Sequence, residues 1–150
     1  MSSNFVYVTY IRTTPEKLWD ALTKPEFTKQ YWFGFHQDCG WTKGSAWKLV
    51  SADGMVADTG EVIEIEPPKR LVLKWRNEFR PELKADGYTR CTFAVERLGE
   101  LVKLTITHEA DDADKMIAAV SQGWPQILSS LKSLLETGHA LPRPDTLPKG

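Results

Sequence analysis

Cysteine is scarce: the 150 residues hold two, Cys39 and Cys91. A disulfide scaffold uses more of them in a shorter chain, so that class is excluded and both are read as free, buried structural thiols. Long apolar runs are missing too. The hydrophobic stretches are far shorter than the ~20 residues a membrane helix needs, and residues 1–10 lack the basic and apolar regions of a secretory signal. A cytoplasmic protein without a membrane span is expected. No charge of one sign dominates, with 19 basic and 20 acidic residues and a net charge of −1. No Lys/Arg cluster has the density of a nucleic-acid footprint, and no polybasic run suits a membrane surface. Phosphate loops, Gly-x-Gly-x-x-Gly, Cys-x-x-Cys and His-Glu-x-x-His are all absent. His36-x-x-Cys39 comes nearest to metal spacing, but two ligands without a second pair make a poor zinc site. No metal, cofactor or catalytic residue is assigned.

What is present is an ordinary globular composition, 41% hydrophobic and 26% charged, which excludes a largely disordered chain. Residues 5–11 are β-branched and aromatic, as a strand requires. Thr14 caps a helix with Pro15 at its first position and Glu16 in its first turn, and Leu18, Trp19 and Leu22 form its apolar stripe. Pro25 ends it or opens a second short helix holding Phe27, Tyr31 and Trp32, which stops near Gly34. Strands follow at 45–50, with Trp47 and Leu49 on one face, and at 59–65, where Glu61, Ile63 and Ile65 are read as sharing a face; Asp53-Gly54 is the turn between them. Pro67-Pro68 breaks the second. Leu71, Leu73 and Trp75 alternate with polar or smaller residues, as do Thr89, Cys91, Phe93 and Val95, and then Val102, Leu104, Ile106 and His108. Residues 80–87 read as a polar loop.

Apolar residues from Ile117 to Leu135 recur at spacings of three and four, a helix of roughly 25 residues or about 37 Å. Gly138 stops it, and Pro125 predicts a kink or restart between 121 and 125. Residues 142–150 have little to bury and are expected to be a flexible tail, leaving 1–141 as one domain. The connections are short, so the strands pair antiparallel. Their apolar face needs a cover, and only the last helix is long enough to supply it. The fold class is therefore α+β: a twisted antiparallel sheet of about six or seven strands wrapped around one helix. A curved sheet and a straight rod leave a gap between them.

Four segments in this order resemble a known family: Thr14-Pro15-Glu16-Lys17-Leu18-Trp19-Asp20-Ala21-Leu22-Thr23 with Tyr31-Trp32; the run Gly60-Glu61-Val62-Ile63-Glu64-Ile65-Glu66-Pro67-Pro68-Lys69-Arg70-Leu71; Trp75; and Gly123-Trp124-Pro125 with Leu128, Leu131 and Glu136-Thr137-Gly138. Over residues 5–138 the chain is similar to the START-like helix-grip superfamily, the polyketide cyclase/dehydrase and lipid-transport type. Within it, the chain resembles the branch of the C-terminal domain of the heat-shock chaperone ATPase activator. The resemblance implies a helix-grip fold and a small hydrophobic ligand, with a chaperone as a second kind of partner and a role in stress or effector response. It implies function less specifically than fold, since members bind varied ligands and a few are enzymes.

The candidate ligand contacts are Trp32, Trp47, Glu61, Trp75, Phe93, His108, Trp124 and Leu128. The aromatic residues are core by composition, but in such a fold core and pocket share a surface. His108 falls on the inner face of its strand. A core-edge histidine satisfied by a backbone carbonyl is the preferred reading, and a ligand hydrogen-bond donor or general base is the alternative. Glu61 is read either as a carboxylate in the cavity mouth or as a rim partner of a neighbouring cation, depending on register. Arg76, Arg80 and Arg90 are read as a solvated face in preference to an entrance gate. A carrier or sensor of a hydrophobic or amphipathic molecule, monomeric or weakly dimeric, is the first hypothesis. A cyclase, dehydratase or hydrolase using His108 and Glu61 as its proton-transfer pair is the second, and a chaperone-binding module the third.

Overall fold

A computed structural model describes residues 2–144, residue 2 in its backbone only. Strand β1 (Ser2–Ile11) leads into helices α1 (Pro15–Thr23) and α2 (Pro25–Tyr31). Thr14 accepts a hydrogen bond from the Lys17 amide, and a proline opens each helix, as those residue types dictate. Strands β2 (His36–Cys39), β3 (Ala46–Val50), β4 (Val56–Glu66) and β5 (Arg70–Asn77) come next. A one-turn helix α3 (Pro81–Lys84) precedes β6 (Thr89–Leu98), β7 (Leu101–Asp111) and the long helix α4 (Asp114–Thr137).

The seven strands form one antiparallel sheet in the order β1-β7-β6-β5-β4-β3-β2. Strands β2 to β7 are a meander, and β1 adds to its last strand. Helix α4, 24 residues long and so about 36 Å, packs on β1 and β7 and is flanked by α1, α2 and α3. It ends at Gly138, whose φ of 85° is the left-handed cap geometry.

Four expectations need correction. Of the kink or restart expected at Pro125, the restart does not occur: helix α4 runs unbroken from Asp114 to Thr137, packing on the sheet outweighing the single hydrogen bond that proline removes. The 80–87 segment contains α3, whose Leu83 is buried. Strand β2 was not foreseen; its burial pattern shows little apolar alternation.

Glu61 also lies elsewhere than expected. A bulge lies between Val62 and Glu64. Before it, Gly60 and Val62 pair with Trp75 and Leu73, while Glu61 pairs with the outward Lys74; after it, Ile65 pairs with Leu71. Because the bulge adds a residue, Ile63 and Ile65 lie on opposite faces, and Glu61 is exposed on the outside of the sheet. Gly60 is fixed by space: a Cβ there would sit 1.6 Å from the Lys74 carbonyl oxygen. Residues 142–144 have no regular structure, and 145–150 of the expected tail lie outside the described residues.

Candidate functional site

An apolar cavity of about 200 Å³ lies between the N-terminal half of α4 and the sheet. The sheet contributes Asp58, Trp75 and Asn77, and the turn after α2 contributes Trp32 and Phe35. Helix α4 contributes Met116, Val120 and Trp124, while Phe79 and the partly exposed Arg80 form the rim. A dry cavity of ~150 Å³ holds benzene, so this one has room for one aromatic ring and a short substituent, with anything longer emerging at the rim.

Three tryptophans form one wall. Trp32 lies 6.2 Å from Trp75 and 5.4 Å from Trp124 between ring centroids, and Trp75 lies 5.7 Å from Trp124. These separations are those of directly packed rings, so the cluster is a closed surface and the free space lies on one side of it. A second tier supports it. Trp47 packs 4.3 Å behind Trp75, and Phe93 meets Trp124 edge-on at 5.8 Å. Trp47 is itself held by an indole N–H bond to Gln37 Oε1 (2.9 Å), and Gln37 donates to the Leu22 carbonyl (2.6 Å).

His108 is completely enclosed. Its Nδ1 accepts the Trp124 indole N–H (3.2 Å), its Nε2 lies 2.7 Å from Thr89 Oγ1, and Thr89 donates to the Trp75 carbonyl (3.0 Å). Only one proton arrangement satisfies this chain: a neutral imidazole with its proton on Nε2, donated to the threonine oxygen. Burial pushes its pKa down to about 4, so it is neutral at physiological pH. The Nδ1 lone pair that a general base needs is committed to Trp124. With Glu61 across the sheet, the two groups do not form the proton-transfer pair of the enzyme hypothesis. His108 is a positioning residue that locks Trp75 and Trp124 in relation to each other.

The ionisable group on the cavity wall that sequence reading missed is Asp58. It is 6% exposed and accepts the Trp75 indole N–H on Oδ2. Among the described residues no hydrogen bond reaches Oδ1. Burial pushes its pKa up to about 7; the Trp75 bond works against that rise, and the Glu78 charge adds to it. Glu78 itself is held down to about 2, chiefly by the Arg76 guanidinium 2.6 Å away. The signal was available: Asp58 is two and four residues before Gly60 and Val62, and all three share the inner face. Counting the alternation from Ile65 back across the bulge places the odd-numbered residues inside instead.

Of the predicted contacts, Trp32, Trp75 and Trp124 line the cavity. Trp47, Phe93 and His108 stand behind them, Leu128 is core, and Glu61 is outside. The three arginines separate: Arg80 is at the rim, whereas Arg76 pairs with Glu78 and Arg90 approaches Glu64 at 3.9 Å, on the outer face. Among the described residues no three His, Cys, Asp or Glu side chains converge as metal ligands, and no helix is long and apolar enough to cross a membrane.

Residues 12–136 match the family model described as activator of Hsp90 ATPase homolog 1-like protein, and the chain belongs to that family. No curated protein matches it. Among solved structures, a Mesorhizobium loti protein is 26% identical, with a TM-score of 0.75 over 89% of this chain and 96% of that one. The Aha1 dimer of Colwellia psychrerythraea is 24% identical, with a TM-score of 0.71 over 91% and 98%. CalU16 of Micromonospora echinospora is 17% identical, with a TM-score of 0.74 over 91% and 78%. The last two likenesses establish the helix-grip fold.

Proposed function

We propose that this member of the activator of Hsp90 ATPase homolog 1-like family binds a small hydrophobic or amphipathic molecule between α4 and the sheet, through one domain spanning residues 1–141. It acts as a carrier of that molecule or a sensor of it as an effector. The observation that carries this reading is the cavity walled by Trp32, Trp75 and Trp124. A fold that needed only a core would gain from filling that space. Here a second tier of side chains holds the wall rigid around it, and preorganised walls are what ligand sites use. Ligands with one ring, or with a slim head and a tail that leaves past Phe79, fit the volume; bulky sterols do not fit without the rim moving.

The test is calorimetry with single-ring aromatics and medium-chain fatty acids on the wild-type protein and Trp75→Ala. Saturable binding weakened at least tenfold by the variant is expected, the loss of one buried aromatic contact being worth more than ~1.4 kcal/mol. Unchanged affinity in a folded Trp75→Ala protein removes Trp75 from the site, and no binding by any compound moves the weight to a protein partner.

That second reading rests on the family match and on relatives such as the Plasmodium falciparum HSP90 activator, 21% identical. In it the domain docks on a heat-shock chaperone. An increase in that chaperone's ATP turnover on adding the pure protein supports it; unchanged turnover removes it.

A further inference from the structure

Building on the cavity reading, we infer that the ligand is a small apolar amine whose ammonium group is held by Asp58. Asp58 is a carboxylate 94% removed from solvent, the complement of its 6% exposure. One oxygen is occupied by the Trp75 indole, and the other takes no bond from a described residue although the side chain lines the cavity. A buried carboxylate without a counter-charge is costly, and an ionised one only accepts hydrogen bonds. Both deficits are met by one kind of group, a cationic donor entering from the cavity.

No side chain among the described residues fills that role. The surrounding wall is Leu49 from β3, Trp75 and Asn77 from β5, Leu83 from α3, and Met116, Val120 and Trp124 from α4, none of them ionised at neutral pH. The segment after β5 carries two charged groups on this side, of which only Glu78 acts on the carboxylate. Glu78 repels it but is neutralised by Arg76 and by Lys84 at 3.2 Å. Arg80 lines the rim with its guanidinium 3.0 Å from Glu82 and forms no ion pair with Asp58. Near Asp58, then, the acidic charges other than its own already have cationic partners. The three-tryptophan wall adds ring faces suited to an ammonium or to the apolar body behind it.

Binding uses the ionised carboxylate and the protonated amine. Below neutrality Asp58 holds a proton that must leave to solvent before the ion pair forms, so affinity rises with pH and levels off above about 7, the value to which burial pushes this group. Below it, affinity falls about tenfold per pH unit.

The experiment compares 2-phenylethylamine, 2-phenylethanol and ethylbenzene, which share a phenylethyl body and differ in its terminal group, by NMR titration of the wild-type protein and Asp58→Asn between pH 5 and 8. At pH 8 the amine is expected to bind roughly 10–100-fold more tightly than ethylbenzene, the range of a charge-assisted bond. In Asp58→Asn the amine should fall to the level of ethylbenzene, whose own affinity stays constant across the pH range. Amine and ethylbenzene binding equally to the wild type overturns the amine inference and leaves the cavity reading standing. Tighter binding of the alcohol than of the amine does the same. If ethylbenzene and the amine both leave Trp75 and Trp124 unshifted, the cavity reading falls as well. The wild-type comparison stands even if Asp58→Asn does not fold.

Discussion

In its C-terminal half, helix α4 presents Leu128, Leu131 and Leu134 to a core that includes Ile11, Leu18, Val102 and Leu104, each at most 8% exposed. In its N-terminal half the same helix faces the same sheet across a cavity, with Gly123, the half-buried Val120 and Ile127, and three tryptophans at the boundary. The closed end is mainly aliphatic, with the buried Ser130 hydroxyl accepting the Leu141 amide. The open end carries the buried polar groups Asp58, Asn77, Thr89 and His108, of which Asp58 and His108 accept the indole N–H bonds of Trp75 and Trp124. One end is organised for cohesion. The other holds its walls apart with hydrogen bonds, and such networks specify position at a cost in stability.

The largest effect expected is at the boundary between them. Gly60→Ala places a methyl group against the Lys74 carbonyl within the β4–β5 ladder, and rigid backbone cannot yield. A loss of more than ~4 kcal/mol in denaturant unfolding, or no folded protein, is expected; a loss under ~1 kcal/mol would mean that the two strands are not in this register.

Next comes the contrast between core and wall. Leu131→Ala, in the closed end, should cost about 2–5 kcal/mol. Ile127→Ala, one turn earlier and half-buried beside the cavity, should cost less than about 2 kcal/mol. Equal losses in thermal melts would erase the distinction between the two ends.

The open end also has a signature in pH. The folded-state pKa of His108 is lowered from 6.5 to about 4. The unfolded chain therefore binds the extra proton between those values, and this term makes stability rise with pH across about 4 to 6.5. The folded-state pKa of Asp58 is raised from 3.8 to about 7. There the folded chain binds the extra proton, so stability falls as pH rises from about 4 to 7. Each term amounts to about 3–4 kcal/mol at full extent, and the two oppose each other over the same interval. Stability in the wild type should therefore change little between pH 4 and 6.5. Asp58→Asn should uncover a rise with pH and His108→Gln a fall. Parallel pH profiles for the two variants would contradict this pairing.

The smallest effect is at Gly123, where a Cβ meets only Ile127 Cδ1, at 4.0 Å. Gly123→Ala should stabilise the helix by about 0.5–1 kcal/mol while narrowing the cavity. Higher melting temperature together with weaker binding of ethylbenzene is expected; destabilisation would show a tighter contact than the structure has.

Much of this was legible in the sequence. Period-two alternation located β5, β6 and β7, and the spacing of Ile117 to Leu135 with Gly138 gave α4 almost to its ends, because both patterns follow directly from which face is buried. Trp32, Trp75 and Trp124 were placed at the cavity for the same reason. Asp58 and the outward Glu61 were legible only from the Asp58, Gly60 and Val62 side of the strand; counted from Ile65 the alternation inverts at the bulge, which leaves no local mark in the residues around Ile63. The role of His108 was not legible: its inner-face position was plain, but its partners Thr89 and Trp124 come from other elements, 19 and 16 residues away.

Whether the tryptophan wall at the open end faces a ligand can be read from its indoles. The chain holds six tryptophans, and each has one indole N–H resonance. Titrating the protein with ethylbenzene and following those six signals separates the two ends directly. Saturable shifts are expected at Trp32, Trp75 and Trp124, with Trp19 on α1 and Trp41 before β3 unmoved. No shifts, or shifts spread evenly over all six, would contradict a ligand at that wall.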